Sequence, residues 1–229
     1  MGKIVILTGA GISTESGLGT FRDAGGLWER YPIEQVATPE GFARDPALVH
    51  EFYNMRRRDA RAASPNAAHQ ALARLQRDWD GEVVIVTQNV DGLHEAAGAS
   101  VLHMHGRLNG ACCVACGARW DAPPRMSPAD PCPACAAPAT RPDITWFGEI
   151  PQHMDEIADH LISATVFASI GTSGQVYPAA GFVREAAQAG AHTIELNLER
   201  SDISAAFDER RTGKATQVVP AWIATLLPE

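Results

Sequence analysis

The sequence predicts an α/β fold: a mostly parallel sheet covered by helices on both faces, with a smaller lobe inserted into it. Three observations carry this. Short apolar runs alternate with helical patterns along most of the chain, as expected when parallel strands are buried on both faces. Three prolines directly follow Thr38, Asp45 and Ser64, and a polar residue followed by proline marks a helix start. From about residue 107 to 145 helical periodicity fades and Cys, Pro and Ala dominate. That stretch must be held by something other than an apolar core.

Taken in order, strands are expected at 4–7, 83–86, 101–103, 165–170 and 193–196, with a further short one at 216–219. Pro39, Pro46 and Pro65 place helices near 39–44, 46–61 and 65–77. Later helices are expected near 91–97, 152–163, 178–189 and 220–227. The helices between 39 and 77 form a second part of the smaller lobe.

The 229 residues carry a formal net charge of -8, and 45% of them are hydrophobic. A normal core can be built, and the acidic balance argues against a nucleic-acid binder, which needs a basic face. No apolar run approaches the roughly 20 residues that span a bilayer. The apolar run at 4–7 is too short for a signal peptide and reads as a buried strand. The expectation is a cytoplasmic, monomeric protein that binds neither nucleic acid nor membrane.

All five cysteines lie between Cys112 and Cys135. Such clustering suggests metal rather than disulfides in a cytosolic chain. Cys113-Val-Ala-Cys116 and Cys132-Pro-Ala-Cys135 are two hooks separated by fifteen residues. Each can place two thiolates on one ion, and together they close a tetrahedral zinc site with no open position. The role is therefore structural. A pair of redox dithiols belongs beside a thioredoxin-like unit, not in a Pro-rich insert. Cys112 is left over, because only Cys113 gives the two-residue hook.

After the first strand comes Thr8-Gly9-Ala10-Gly11-Ile12-Ser13. Glycines there let backbone approach a pyrophosphate, and a following helix offers free N–H groups. The usual dinucleotide fingerprint is incomplete. Its third glycine falls at Thr14, and no acidic strand end follows about twenty residues on. The pair reads equally as a dinucleotide site or as an ordinary strand-to-helix turn. In the loop beyond, Arg22 can pair with phosphate and Phe21 can shield a ribose; simple loop packing is the alternative for both.

Ligands collect at the carboxyl ends of strands in such sheets, and three ends here are dense in polar groups. One leads into Gln88, Asn89 and Asp91, which can bind ribose, a carboxamide or water, or cap a helix. The next leads into His105, a candidate general base near neutral pH, although a lone histidine there is more often structural. The third leads into Gly171-Thr172-Ser173. His103, two residues before His105, is expected on the opposite face of the sheet, and no third ligand makes the pair a metal site. On the helix at 46–61, Tyr53 and Arg56 share one face and can converge on a carboxylate. A solvated arginine-rich face is the alternative, since Arg57 and Arg58 follow.

Together these residues resemble the sirtuin family. The matching segments, in family order, are Gly9-Ala10-Gly11-Ile12-Ser13, Phe21-Arg22, the run from Thr87 to His94, His105-Gly106, the four hook cysteines, Trp146-Phe147-Gly148-Glu149, Gly171-Thr172-Ser173 and Asn197-Leu198-Glu199. The likeness runs from Lys3 to about Trp222. It implies one catalytic domain over 1–229: a Rossmann-like, NAD-binding lobe at about 1–36, 78–106 and 146–229, and a small lobe of helical insertion (about 37–77) and zinc ribbon (about 107–145). The implied reaction removes acyl groups from protein lysines at the expense of NAD, giving nicotinamide and O-acyl-ADP-ribose. By position His105 is the base. Asn89 and Asp91 organise ribose and nicotinamide, beside Gln88, and Glu15, Phe21, Arg22 and Trp28 also fall on the NAD side. Gly171, Thr172 and Ser173 match the phosphate and ribose side, and Asn197, Leu198, Glu199 and Ala215 the adenosine side. Thr145, the segment 146–149 and Val176 match the substrate side, where an edge pairs with peptide backbone as an added strand. Tyr53-x-x-Arg56 matches the signature of the subgroup that removes succinyl and malonyl groups, and Ala37 its small pocket residue. Retained deacetylation is expected too.

Where sirtuins often read Ser-Gly-Ile-Pro-Asp-Phe-Arg, this chain reads Ser16-Gly17-Leu18-Gly19-Thr20-Phe21-Arg22. Glycine in place of proline loosens the loop without touching the groups that do chemistry. Three rival readings are ADP-ribosyl transfer to protein, a dehydrogenase, and a zinc-ribbon binding module on a nucleotide-fold scaffold. The incomplete fingerprint disfavours the second, and the charge and dense polar strand ends the third.

Overall fold

The computed structural model of the chain describes residues 2–19 and 31–227. Among these, nine strands follow in order: β1 (Ile4–Thr8), β2 (Val83–Thr87), β3 (Val101–His103), β4 (Gly106–Cys113), β5 (Arg119–Asp121), β6 (Thr140–Ile144), β7 (Val166–Ile170), β8 (His192–Asn197) and β9 (Glu209–Thr212). The helices are α1 (Ile33–Val36), α2 (Pro39–Arg44), α3 (Pro46–Ala62), α4 (Ala67–Asp78), α5 (Leu93–Ala96), α6 (Met154–Ile162), α7 (Phe182–Gln188) and α8 (Ala215–Leu226).

Six strands make one sheet in the order β3-β2-β1-β7-β8-β9, and every neighbouring pair is parallel. Strand alternation divides the core in two. Ile4, Ile6, Ile85, Ile170 and Ile194 face Leu72 and Leu75 of α4 and Val219, Trp222 and Ile223 of α8. Val5, Leu7, Val86 and Phe167 face Ile157 and Leu161 of α6 and Phe182 and Val183 of α7. β1, central and apolar throughout, is buried along its whole length, as a parallel strand covered on both sides must be. The order is that of a doubly wound dinucleotide fold, with its reversal between β1 and β7.

The remaining strands form a small antiparallel sheet, β5-β4-β6. A third apolar cluster joins it to α1 and α3 through Val36, Val49, Phe52, Tyr53, Leu108, Ile144 and Trp146. Polar groups tie the same elements. Asn54 on α3 donates to the Met126 carbonyl at 2.8 Å and accepts from the Met126 N–H at 2.9 Å. Arg57 is fully buried and donates to the Leu108 carbonyl at 2.7 Å and to Asn54 at 2.8 Å. The solvated face read from the arginine run therefore holds for Arg58, which is exposed, and not for Arg57.

Thr38 and Asp45 cap α2 and α3 as expected, accepting from Gly41 and Leu48 N–H groups. Four expectations need correction. The helix placed at 65–77 starts at Ala67, because Asn66 forms the cap and Pro65 lies outside it. The segment 178–189 opens as a 3-10 turn (Ala179–Gly181) before α7. The strand placed at 216–219 is helical, and α8 begins well before Pro220. Glu15 explains that start: its carboxylate accepts from the Thr216 N–H at 3.1 Å and the Thr216 hydroxyl at 2.8 Å, a favourable place for negative charge. Burial of Val219 and Trp222 on the sheet then outweighs the β-branched run. The last strand is instead β9, the polar Glu-Arg-Arg-Thr, half exposed at the sheet edge. No helix among the described residues is long and apolar enough to cross a membrane.

Asn66 does more than cap α4. Its amide nitrogen donates to the Ile12 carbonyl at 2.8 Å and to the Ser16 hydroxyl at 3.0 Å, while its oxygen accepts from Ala68 and His69 N–H groups. Asn66→Ala is expected to cost about 2 kcal/mol, at the upper end for a lost cap; the shift of the urea unfolding midpoint measures it.

Candidate active site

Between β1 and β7 the chain turns away in opposite directions, and a cleft of about 860 Å³ opens at their carboxyl ends. This is large for a small-molecule site. Its floor is a backbone contact. The Gly9 N–H donates to the Ile170 carbonyl at 2.9 Å, and the Gly11 N–H to the Gly171 carbonyl at 2.8 Å. A Cβ at Gly11 would sit 2.8 Å from the Gly171 Cα, and one at Gly171, whose φ is +63°, would sit 2.5 Å from the Ile12 nitrogen. The glycines thus let two strand ends approach each other. No long helix follows them: the described residues continue as two single 3-10 turns, Ala10–Ile12 and Thr14–Ser16.

Nearly all the expected site residues converge on this cleft. From the cofactor set, Gly9, Ala10, Gly11, Glu15, Gln88, Asn89, Gly171, Thr172, Ser173, Asn197, Leu198, Glu199 and Ala215 line it; from the substrate set, Ala37, Tyr53, Arg56, Thr145, Trp146, Phe147, Gly148, Glu149 and Val176 do; and His105 joins them. Ser13 and Asp91 line an adjoining pocket of about 130 Å³ that shares Ala10, Arg56 and Asn89 with the main cleft. Phe21, Arg22 and Trp28 lie outside the described residues. Gln175, Tyr177, Ser201, Asp202 and Lys214 also line the cleft and escaped the sequence reading. The polar stretches beyond β7 and β8 carried the signal. Gln175 donates to the Asp202 carboxylate at 2.8 Å, bridging those two loops.

The strand-end side chains hold one another. Gln88 donates to the Thr172 hydroxyl at 3.2 Å, and Asn197 to the Thr172 carbonyl at 2.8 Å. Asn89 donates to the Ser13 hydroxyl, which donates to Asp91, both at 3.1 Å. The other Asp91 oxygen accepts from the Leu93 N–H two residues on, but the N-cap of α5 is Gly92, so Asp91 lies one residue before the cap position expected of it. Burial raises the Asp91 pKa against the pull of those two donors. Beneath them Thr8 and Thr87 share a hydrogen bond at 2.8 Å, and His94 contacts Thr8 at 3.0 Å. Burial pushes His94 down to about 3, so it stays neutral.

His105 Nδ1 lies 3.1 Å from the Gln88 carbonyl. A carbonyl only accepts, so Nδ1 carries the proton and Nε2 keeps a lone pair. Burial lowers the His105 pKa, partly offset by that hydrogen bond, and the neutral ring prevails near pH 7. His103 is different. Its two nitrogens meet the Asn89 carbonyl at 2.9 Å and the Glu95 carboxylate at 2.6 Å. Burial opposes its charge, but Glu95, the Asn89 carbonyl and Asp91 together outweigh burial and raise the pKa. The two histidines take separate environments, but not through strand alternation, which puts residues two apart on one face: β3 ends at His103, and Met104 and His105 form the turn that follows it.

Tyr53 is buried, and its hydroxyl accepts from the Trp146 indole N–H at 3.0 Å. Burial pushes its pKa up to about 12. The Arg56 guanidinium sits 5.9 Å from the Phe52 ring centre. The backbone of the expected substrate edge is largely occupied: the Thr145 N–H meets the His105 carbonyl, the Phe147 N–H the Ala37 carbonyl, and the Trp146 N–H the Glu149 carboxylate.

The four hook cysteines meet away from the cleft, with all sulfurs within 4.8 Å of one another. Cys113–Cys135 and Cys116–Cys132 sulfur separations are both 3.7 Å. Zinc–sulfur bonds of about 2.3 Å in a tetrahedron require sulfurs roughly 3.8 Å apart, so the cluster is able to hold a zinc ion. The hooks are built alike: the Gly117 N–H returns to the Cys113 carbonyl and the Ala136 N–H to the Cys132 carbonyl, both with positive φ. Cys112 is excluded, its thiol directed at the Pro142 carbonyl.

A family model described as "Sir2 family" matches residues 9–178. A Caulobacter vibrioides protein named NAD-dependent protein deacylase is 54% identical over 98% of this chain and 97% of its own length. An Escherichia coli strain K12 protein of the same name is 53% identical over 98% of this chain and 82% of its own length. Among solved structures, a Sir2 homologue in complex with NAD matches with a TM-score of 0.89 at 37% identity, covering 98% of this chain and 89% of that one. A Sir2 variant holding a deacetylated p53 peptide and 3'-O-acetyl-ADP-ribose matches with a TM-score of 0.79 at 26% identity, covering 97% and 92%.

Elemental analysis is expected to find one zinc per chain in the wild type and in Cys112→Ser. In Cys135→Ser zinc should be largely lost and thermal stability reduced, because metal binding and folding of such a module are coupled.

Proposed function

This chain belongs to the Sir2 family, and from that premise we propose that it removes acyl groups from protein lysines at the expense of NAD, releasing nicotinamide and O-acyl-ADP-ribose. The observation that carries the reading is His105: a neutral imidazole, its Nδ1 held by the Gln88 carbonyl, lining the same cleft as the strand-end polar groups and Tyr53. Bound NAD supplies the ribose that accepts the acyl group. His105 Nε2 would take the proton from a ribose hydroxyl as that oxygen bonds to the acyl carbon, after nicotinamide has left the ribose and before water releases the lysine amine. Gln88 keeps the ring in the tautomer this needs.

The remaining residues divide by position. Asn89, Ser13 and Asp91 form the polar wall toward the nicotinamide and its ribose. Gly171, Thr172 and Ser173 take the phosphate side, and Asn197, Leu198, Glu199 and Ala215 the adenosine side. Thr145–Glu149 and Val176 receive the peptide. Free backbone donors there are Gly148 and Val176, whose N–H groups make no hydrogen bond among the described residues. The proposed division into an NAD lobe (about 1–36, 78–106 and 146–229) and a small lobe (about 37–77 and 107–145) is supported by the separation into two sheets; the third apolar cluster, with Val36, Val90 and Trp146 among its members, spans both lobes.

Within deacylation the acyl group is acidic, succinyl or malonyl, with acetyl also accepted. Tyr53 and Arg56 line the cleft together, a phenol held protonated by burial beside a guanidinium. Ala37 leaves space for the longer chain.

His105→Ala is expected to lower turnover by about 10²–10⁴, the usual worth of a positioned base, with zinc content unchanged. The acid limb of kcat/KM against pH should lie below 6.5, the ordinary histidine value: activity is held while the ring is neutral and lost as pH falls through its lowered pKa. Arg56→Met should reduce the ratio of succinyl-lysine to acetyl-lysine kcat/KM by about tenfold or more, as for loss of a charge-assisted hydrogen bond.

A further inference from the structure

We propose that Trp146 is a specificity-determining positioning residue: its indole N–H occupies the acceptor side of the Tyr53 hydroxyl, so that the hydroxyl hydrogen is directed at the carboxylate of an acidic acyl group in the cleft. The inference rests on the acidic-acyl reading and adds to it the means by which the phenol is aimed.

The Trp146 indole nitrogen is a donor only. At 3.0 Å from the Tyr53 oxygen it makes that oxygen the acceptor, which leaves the tyrosine its own hydrogen to donate. No other described residue takes that hydrogen. Tyr53 is 1% exposed, and a buried donor without an acceptor is costly. The side chain nonetheless lines the cleft beside Arg56, so the missing acceptor belongs to whatever the cleft holds. With burial pushing the phenol up to about 12, the hydrogen is present throughout the neutral range. An acetyl group, with no terminal oxygens beyond its carbonyl, offers this donor nothing; a succinyl carboxylate does.

Trp146 is itself held on three sides. The Arg141 guanidinium lies 3.4 Å from its ring centre and grips Glu149 with two bonds, at 2.7 and 2.9 Å. Glu149 in turn accepts from the Trp146 backbone N–H at 2.8 Å. Phe42 packs against the indole with ring centres 5.2 Å apart. Stacking and a paired fork are arginine's particular abilities, and here both fix one indole. Trp146 and Glu149 therefore act on the substrate through Tyr53, and Arg141 joins them.

The test compares kcat and KM on succinyl-lysine and acetyl-lysine peptides for wild type, Trp146→Phe, Tyr53→Phe, their double variant, Arg141→Lys and Arg56→Met. The expected result is a fall of about five- to tenfold in the succinyl-to-acetyl ratio of kcat/KM for Trp146→Phe, the worth of one hydrogen bond, carried mainly by the succinyl KM. Tyr53→Phe should match it, and the double variant should fall no further than Tyr53→Phe alone. Arg141→Lys should shift the ratio in the same direction, and it carries the test should Trp146→Phe fail to fold. An unchanged ratio in the Trp146 and Arg141 variants, or losses in Trp146→Phe and Tyr53→Phe that multiply in the double variant, overturns the inference. If Arg56→Met collapses the ratio while Trp146→Phe and Arg141→Lys leave it unchanged, only this inference falls. If Arg56→Met also leaves it unchanged, the acidic-acyl reading falls with it.

Discussion

The approach of two strand ends, β1 and β7, governs the rest of the molecule. The Gly9 N–H donates to the Ile170 carbonyl and the Gly11 N–H to the Gly171 carbonyl, and a Cβ at Gly11 or Gly171 would drive the strand ends apart. The contact lies where the parallel sheet reverses its winding, so the loops leave in opposite directions and a cleft must open. Burial of both sheet faces fixes the strands, and the glycines set how closely their ends meet. Gln88, Asn89, Thr172 and Asn197 then stand around one space because they all follow strands anchored at that junction.

Charge in this cleft is controlled by burial and by fixed partners. His105 and His103 are two residues apart, yet burial lowers the pKa of one against its carbonyl partner, while a carboxylate partner helps raise the pKa of the other. Tyr53 is kept protonated by the apolar cluster around it. That cluster also bridges the small sheet and the helices, so acyl preference depends on how the smaller lobe is held. The cysteine cluster contributes at a distance, by fixing the strands that carry Arg141 and lead to Trp146.

Much of this was legible in the chain. Period-two burial and apolar runs placed five of the parallel strands, and Thr38-Pro39 and Asp45-Pro46 placed two helices by their caps. The hook spacing selected Cys113 over Cys112. Other features depended on contacts far apart in sequence. The start of α8 depends on Glu15, some two hundred residues away, so local preference at 216–219 pointed to a strand. β9 has no apolar run because an edge strand needs none. Arg57 looked like surface because its partners Leu108 and Met126 lie on other segments and are invisible to helix periodicity. Tyr53 and Arg56 were visible as a pair. Of their supports, Trp146 and Glu149 were visible only as a substrate edge and Arg141 not at all, since nothing local says that an indole faces a phenol on another element.

The central claim is the reaction itself, and mass spectrometry of one incubation tests it most directly. The protein would be mixed with NAD and peptides carrying acetyl-, malonyl- or succinyl-lysine. The account predicts free lysine, nicotinamide and O-acyl-ADP-ribose in equal amounts, with the acidic acyl groups among those transferred. NADH formation, or ADP-ribose retained on protein without loss of any acyl group, would contradict it.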